Sequence, residues 1–540
     1  MNILITLTEA ILLLSGAGSL EELGAEEYER YCALAEHPLC INLASSARLG
    51  SSGLFSSYQI ASLQNYKEES GDILSISELG TVPGFTPELA TALSYFISLE
   101  SHSPPGARRH RKIRQEAMVR SSGKDICGKY HAEAGERAEL WLSAREKFSG
   151  ALAIYGKRPW KLILGDFNAR MGQGLLLWSS FSLSGFSTTD AFSKNASGLS
   201  GTGSWVPSWR GMASGYCGRS WQASLAAGID GTLLGSASLL GNSGNLGANF
   251  IYGPRGKGAS LDWKKSFGHL SCFGEAAFAA SPAGVLGIRW DPAYKLSTVL
   301  LARYYPPEYQ APMAGAVRSG SKSRDEAGIA AGIRLSWFSA TADMAFHPER
   351  WKQHSKNYQQ FKSVVSAAPQ FTSGRWSFSP SVRWTERMQL SPEGEAFRAA
   401  WRNDLRCDLK ASLSGLQGAL RVNVLQTGEL RPGGLAYLEL GYATPSDTAR
   451  LRLSLHIRGT ICSTDGWESR IYAYERNLPG CFSVPAWYGR MQGLSAVAGV
   501  KYRRKRIRHQ FDLRAGLVRY ARETGKAPRA EIKFQYSLKL

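Results

Sequence analysis

The sequence predicts an α+β multidomain protein, in which a small all-α helix-hairpin-helix domain precedes a large antiparallel transmembrane β-barrel of about 14 to 16 strands. Three observations support this. The 540 residues include 57 Gly, 15 Trp, 22 Tyr and 21 Phe, a mixture typical of tight turns and interfacial aromatics. The hydropathy period changes from that of a helix to that of a strand near residue 136. No stretch reaches the roughly 18 apolar residues of a membrane-spanning helix, so a membrane protein with this sequence must cross with strands.

Charge divides the chain near residue 100. Residues 1–100 carry three basic side chains (Arg30, Arg48 and Lys67) against thirteen acidic ones, a net charge of −10. Because the whole chain is +20, residues 101–540 carry +30. Such asymmetry predicts either that the two parts attract each other or that only the second meets an anionic partner.

Residues 1–18 predict an export signal. An apolar run from Ile3 to Leu14 is followed by small residues, which is the order found in signal peptides. The run has no basic start and contains Glu9, so the alternatives are a misassigned start and an uncleaved buried helix.

Residues 19–100 predict an acidic helical domain. One helix is expected from Ser57, and another after the pair Thr86-Pro87, which supplies an N-cap and a proline at the first helical position. Tight connections at Gly53–Phe55 and Pro83–Phe85 precede these helices. This spacing is that of two helix-hairpin-helix units.

Several short runs in this domain resemble the tandem helix-hairpin-helix of ComEA-type DNA receptors. They are Ile41-Asn42-Leu43-Ala44, the spaced Ile60, Leu63 and Tyr66, Gly71, Ser77–Leu79, and Val82-Pro83-Gly84-Phe85. In that family, hairpin glycines expose backbone N–H groups that bind DNA phosphates without reading sequence. The resemblance implies phosphate contacts at Gly53, Leu54, Phe55, Val82, Pro83, Gly84, Phe85 and Thr86. The alternative is a helical module that docks on protein.

Residues 101–135 predict a basic linker. Five cations follow a Pro-Pro-Gly turn: Arg108, Arg109, Arg111, Lys112 and Arg114. Solvated charge is the simplest interpretation. The alternatives are a tether for the acidic domain, or a contact with nucleic acid or anionic lipid.

Residues 136–540 predict the barrel. In Arg450–Arg458 every second residue is aliphatic and the others are polar or cationic, and Ile532–Leu540 keeps this alternation to its last residue. Closure removes the sheet edge that such a terminal strand would expose. We expect Arg450, Arg452 and Arg458 to face the lumen. An open cationic lumen would favour anions. In the alternative, a plugged barrel, the arginines pair with inward acidic residues.

One motif is similar to the metal-dependent endonuclease/exonuclease/phosphatase family. Ile163–Ala169 places Asp166 and Asn168 after a buried strand, as that family does. No later Ser-Asp-His segment supplies the catalytic histidine, so we expect these two to be turn residues. The eight cysteines form no CxxC spacing and no Cys/His cluster with zinc-ligand spacing. We therefore predict no enzyme, no metal and no cofactor.

Two further runs resemble the envelope family that fuses tandem helix-hairpin-helix units to a large outer-membrane barrel. One extends from Leu164–Phe167 through Arg170–Trp178, and the other from Ile471–Glu475 through Phe482–Arg490. The resemblance implies an outer-membrane protein with its N-terminal domain in the periplasm. The leading hypothesis is that it binds or passes an anionic polymer such as DNA during uptake. The alternative is a plug or assembly adaptor that docks a periplasmic protein. Outer-membrane lipid is the remaining expected partner.

Overall fold

The computed structural model describes most of the chain in two compact units. The described residues are 7–15, 17, 20–23, 25–101, 113–123, 125–135, 137–156, 159–179, 189–194, 196–241, 243–293, 296–320, 322–349, 359–373, 376–393, 396–413, 415–428, 430–444, 450–504, 507–521 and 527–540. One unit comprises Met1–Gln115 with Lys129–Ile329, and the other comprises Glu116–Gly128 with Ala330–Leu540.

The described residues before residue 102, here called the N-terminal segment, form six α-helices and two short strands. The helices are α1 (Leu7–Ser15), α2 (Ala25–Glu36), α3 (Ser46–Ser52), α4 (Ser57–Ser70), α5 (Ile76–Leu79) and α6 (Pro87–Leu93), and the strands are β1 (Leu39–Cys40) and β2 (Ile97–Ser98). None of the described helices is long and apolar enough to cross a membrane. The helix α1, inside the predicted export signal, packs against α6.

The remaining strands follow in chain order. They are β3 (Ile113–Ser122), β4 (Asp125–Ala134), β5 (Ala138–Ala144), β6 (Phe148–Tyr155), β7 (Trp160–Arg170), β8 (Gly198–Gly201), β9 (Trp209–Cys217), β10 (Trp221–Gly228), β11 (Leu233–Gly241), β12 (Gly244–Gly253), β13 (Gly256–Phe267), β14 (Leu270–Ala279), β15 (Ser281–Ala293), β16 (Leu296–Tyr305), β17 (Glu326–Leu335), β18 (Phe338–Phe346), β19 (Gln359–Pro369), β20 (Phe371–Ser373), β21 (Trp376–Glu393), β22 (Ala396–Leu413), β23 (Leu416–Thr427), β24 (Gly433–Ala443), β25 (Leu451–Ser463), β26 (Ile471–Tyr472), β27 (Ala486–Trp487), β28 (Arg490–Arg504), β29 (Ile507–Tyr520) and β30 (Arg529–Lys539).

These strands pair in the order of a closed antiparallel barrel with 24 strand positions around the ring. Two of these positions are each occupied by two short strands. Strands β8 and β9 pair with successive parts of β7, and strands β20 and β19 pair with successive parts of β21. The small pair β26 and β27 forms its own sheet. The ring closes where β3 pairs with β30, with Ala117 opposite Leu538.

The predicted 14 to 16 strands are therefore wrong. Strands β11 to β16 begin at residues 233, 244, 256, 270, 281 and 296, whereas 14 to 16 strands over residues 136–540 would need only one strand in roughly every 25 residues or more. Only residues 254 and 255 separate β12 from β13. Turns this short carry little signal of their own, so neighbouring strands merge when the sequence alone is inspected.

The predicted separate all-α domain is also wrong. The N-terminal segment belongs to the same compact unit as the strands between Lys129 and Ile329. Within the segment, the parallel pairing of β1 with β2 joins the two ends of residues 39–98, with Leu39 opposite Ile97. The physical reason lies in charge: side chains of the segment form ion pairs of both polarities with side chains of the strands, as described below.

Inside the segment, helix ends are fixed by their own side chains. At the start of α4, the Ser56 hydroxyl accepts a hydrogen bond from the Gln59 N–H, and the Gln59 side chain accepts one from the Ser56 N–H. Asn42, in one of the ComEA-like runs, joins two distant stretches because its side chain donates to the Ile73 carbonyl at 2.9 Å and accepts from the Ile73 N–H at 3.0 Å. Phe55 and Phe96 are fully buried. A small core thus orders the segment.

In each unit the strands expose apolar side chains and bury polar ones, which is the reverse of a water-soluble protein. On β12, in the first unit, the exposed side chain of Leu246 (53%) contrasts with that of Asn249 (3%). On β25, in the second unit, Leu453 is 48% exposed and Arg458 is 7% exposed. Apolar side chains on the outside and polar ones on the inside are unfavourable in water and favourable in lipid.

Candidate functional site

The candidate site is the contact between the N-terminal segment and the inward side of the strands of its own unit, here called the wall. Ion pairs join the two. They are Arg48 with Glu133 (3.3 Å), Arg48 with Glu139, Glu29 with Lys129 (2.5 Å), Glu27 with Arg170 (3.7 Å) and Glu68 with Arg219. Only the last pair is largely exposed to solvent. The acidic segment therefore docks on the wall largely through buried charge.

Arg48 is the centre of this contact. It leaves α3 and enters a recess of β4, β5 and β6, where its guanidinium lies 5.5 Å from the centre of the Tyr155 ring. Burial acts to lower the pKa of Arg48, but Glu139, Tyr155 and Glu133 outweigh it, so the pKa lies above its usual range. The Tyr155 hydroxyl donates to Glu139 at 2.8 Å, which holds that carboxylate toward Arg48.

The recess is built from strand periodicity. His131 and Glu133 are two positions apart on β4, so their side chains share one face of the sheet, and Glu139 comes from the neighbouring β5. Trp141 stacks on the His131 ring, with 5.5 Å between ring centres. Rigid strands thus hold one imidazole and two carboxylates beside Arg48.

The first predicted phosphate-binding hairpin is used for internal packing. Gly53 has a φ of 71°, and a Cβ there would lie 2.0 Å from Nη1 of Arg30. Arg30 also donates to the Ser52 carbonyl at 3.2 Å. The Gly53 N–H donates to the Gly50 carbonyl and the Leu54 N–H to the Ser52 hydroxyl. Leu54 and Phe55 are buried.

The second hairpin also satisfies backbone donors within itself. The N–H groups of Val82 and Phe85 donate to the carbonyls of Leu79 and Val82. Thr86 caps α6, and its hydroxyl accepts from the Leu89 N–H at 3.2 Å. Pro83 and Gly84 are exposed at the turn, where Gly84 has a φ of 89°. Four hairpin amides that the resemblance assigns to phosphate are thus used internally.

The predicted basic linker is described only at its end. Arg108, Arg109, Arg111 and Lys112 lie outside the described residues. Arg114 belongs to β3, and its Nη1 lies 3.9 Å from Oε2 of Glu133 with about half of its side chain exposed. The barrel wall therefore begins inside the range predicted as linker.

The three predicted lumen arginines differ in position. Arg450 is exposed and precedes β25, and Arg452 is half-buried on that strand. Arg458 is buried, pairs with Glu439 at 2.5 Å and lies 4.0 Å from the centre of the Tyr437 ring. Arg458 therefore lies in a buried ion-pair cluster, in which Glu439 also pairs with Arg476 at 2.9 Å.

The nuclease-like motif forms no active site. Asp166 and Asn168 lie within β7 instead of the expected turn. Asp166 is fully buried, accepts from the Gly150 N–H at 2.7 Å and pairs with Arg210 at 2.6 Å. The chain bends here because Gly165 adopts a φ of 95°, where a Cβ would lie 2.3 Å from the Gly150 carbonyl oxygen. That the chain is not an enzyme stays a prediction.

Sequence reasoning did not find the residues at the centre of the site. His131, Glu133 and Glu139 carry one usable signal, which is the spacing of the first two on alternate positions of a strand. Arg48 is 85 positions from Glu133, and no local pattern joins them.

A closed sheet with an apolar outer face and a charged inner face defines a transmembrane β-barrel of the outer-membrane type. This confirms the predicted outer-membrane barrel. The periplasmic position of the helices stays a prediction.

Comparisons with known proteins add the following. No protein-family model matches the sequence, and no curated protein matches it. Among solved structures, OccAB4 of Acinetobacter baumannii is 6% identical with a TM-score of 0.31, over 79% of this chain and 95% of that one. OccK7 (OpdD) of Pseudomonas aeruginosa is 9% identical with a TM-score of 0.30, over 79% and 97%. OmpT of Vibrio cholerae is 9% identical with a TM-score of 0.30, over 56% and 99%. The class stated above therefore depends on the sheet and surface of the chain itself.

Proposed function

We propose that the protein is a plugged outer-membrane channel, in which the N-terminal segment is the plug and its release opens the path. The observation that carries this proposal is the set of buried ion pairs between the segment and the wall, with Arg48 between Glu133 and Glu139. Removing one partner of such a buried pair is strongly unfavourable, so a change at a single charge can favour release of the segment. The arrangement favours the plug alternative over a DNA receptor.

A disulfide between segment and wall tests the proposal. A Cβ at Gly50, on α3, would lie 3.9 Å from Sγ of Cys217 on β9, close to the reach of a disulfide. We expect Gly50→Cys to form this disulfide on oxidation and to suppress channel openings in planar bilayers, and we expect reduction to restore them. Peptide mapping identifies the bridge.

The matched control carries Gly50→Cys together with Cys217→Ser, which removes the partner thiol. Its openings should be the same under oxidising and reducing conditions. Openings that persist in the oxidised single variant, once the bridge is mapped, would show that the segment does not close the path.

DNA binding by the basic linker is a second proposal, supported by its five cations and by the exposure of Arg114. Full-length protein in detergent is titrated with labelled duplex DNA across a salt series. We expect log affinity to fall linearly with log salt, and we expect binding to be lost when Arg108, Arg109, Arg111, Lys112 and Arg114 are replaced by Glu. Absence of binding at low salt, or binding that survives the five substitutions, would refute a DNA role for the linker.

A further inference from the structure

The recess that receives Arg48 also contains a set of potential metal ligands. Nε2 of His131 lies 3.8 Å from a Glu133 oxygen and 3.9 Å from a Glu139 oxygen. One ligand atom from each of the three residues falls within 4.8 Å of the others. A small contraction of these distances would place all three around one ion, because metal bonds to nitrogen and carboxylate oxygen are about 2.0 to 2.2 Å long.

The state of the His131 imidazole nitrogen supports metal binding at this position. Nε2 of His131 is buried, and among the described residues it makes no hydrogen bond. Trp141 stacks on the ring and fixes its plane. A buried nitrogen without a hydrogen-bond partner is unfavourable, and a metal ion bound between it and the two carboxylates would satisfy it.

We infer that His131, Glu133 and Glu139 form a binding site for a divalent transition-metal ion such as Zn²⁺, and that this ion competes with Arg48 for the two carboxylates. Imidazole nitrogen with carboxylate oxygen is a ligand set that suits Zn²⁺. The guanidinium of Arg48 now contacts both carboxylates. A metal ion bound there would repel the Arg48 guanidinium and bind the Glu133 and Glu139 carboxylates in its place.

The competition has a consequence that depends on the plug function proposed above. Arg48 is the anchor of α3 on this part of the wall, so metal binding removes that anchor and favours release of the N-terminal segment. The site thus makes the plug sensitive to a metal ion.

The binding test uses the full chain, stripped with a chelator and dialysed against Zn²⁺. We expect one bound ion per chain, which His131→Gln and Glu139→Gln each abolish. Glu68→Gln, which alters an exposed ion pair elsewhere on the segment, should leave the stoichiometry unchanged. Because the guanidinium charge lies within about 4 Å of the ligands, Arg48→Gln should tighten binding at least about tenfold.

Heat-modifiable migration on a gel verifies that each variant contains a folded barrel. Equal Zn²⁺ binding in wild type, His131→Gln and Glu139→Gln would overturn the site. Unchanged affinity in Arg48→Gln, or binding seen only in that variant, would overturn the competition.

The effect on the segment is measured by the rate of cross-linking between Gly50→Cys and Cys217. We expect Zn²⁺ to slow this reaction and Glu139→Gln to remove the effect. An unaffected rate in a protein shown to bind Zn²⁺ would overturn the link to release. Failure of the plug is a separate outcome. It would appear as openings in the oxidised Gly50→Cys protein, whatever the stoichiometry of Zn²⁺ binding.

Discussion

Arg48→Glu is expected to release the N-terminal segment and to raise the single-channel conductance and open probability of the protein. The substitution removes the cation that contacts Glu133 and Glu139 and places a third carboxylate among them. Breaking a buried pair in this way costs about 3 to 5 kcal/mol. Since about 1.4 kcal/mol is a factor of ten, the released fraction should rise by roughly a hundredfold or more.

Planar-bilayer recordings measure this effect, and limited proteolysis of the segment measures release directly. Arg219→Glu is the matched control, because its ion pair with Glu68 is largely exposed and is worth no more than about 1 kcal/mol. Wild-type conductance and protease resistance in Arg48→Glu would mean that the segment is held by other contacts.

Glu326→Gln is expected to lower the stability of the barrel by about 3 to 5 kcal/mol. Arg303 on β16 and Glu326 on β17 form an ion pair of 2.7 Å, and both side chains are 0% exposed. Glu326 also accepts hydrogen bonds from the N–H groups of Ser319 and Gly320, at 2.9 and 3.1 Å. The amide keeps the shape of the side chain but leaves the buried Arg303 charge without its carboxylate.

The measurement is the midpoint of urea unfolding, followed by heat-modifiable migration and tryptophan fluorescence. The double variant Arg303→Met with Glu326→Leu should be more stable than the single variant, since replacing a whole buried pair costs less than breaking it. A single variant that unfolds at the wild-type midpoint would show that the carboxylate of Glu326 is dispensable in the folded barrel.

Alternation was the part of the fold that the sequence revealed most clearly. Leu451, Leu453 and Leu455 are exposed on one side of β25 while Arg458 is buried on the other, as the period of two predicts. The number of strands was not predictable in the same way. Connections such as residues 254–255 interrupt the alternation too weakly for the two neighbouring strands to be counted separately.

The site was harder to predict because its contacts join distant parts of the chain. Charge asymmetry predicted an attraction between the acidic segment and the basic remainder as one of two outcomes, but it could not pair Arg48 with Glu139 or Glu27 with Arg170. The glycine pattern was misleading in another way. Gly53 has the left-handed backbone expected of a hairpin, yet its missing side chain makes room for Arg30.

The seam between β3 and β30 constrains the order of assembly. Arg120 on β3 bonds through its Nε to the side chain of Gln535 on β30 at 2.8 Å, although the two are 415 positions apart in the chain. The residues of β3 are synthesised long before those of β30, so this edge of β3 has no partner until the last strand is made. During that interval the edge is a template for any other extended polypeptide. The edge of β3 must therefore be shielded from pairing with other chains until β30 is available.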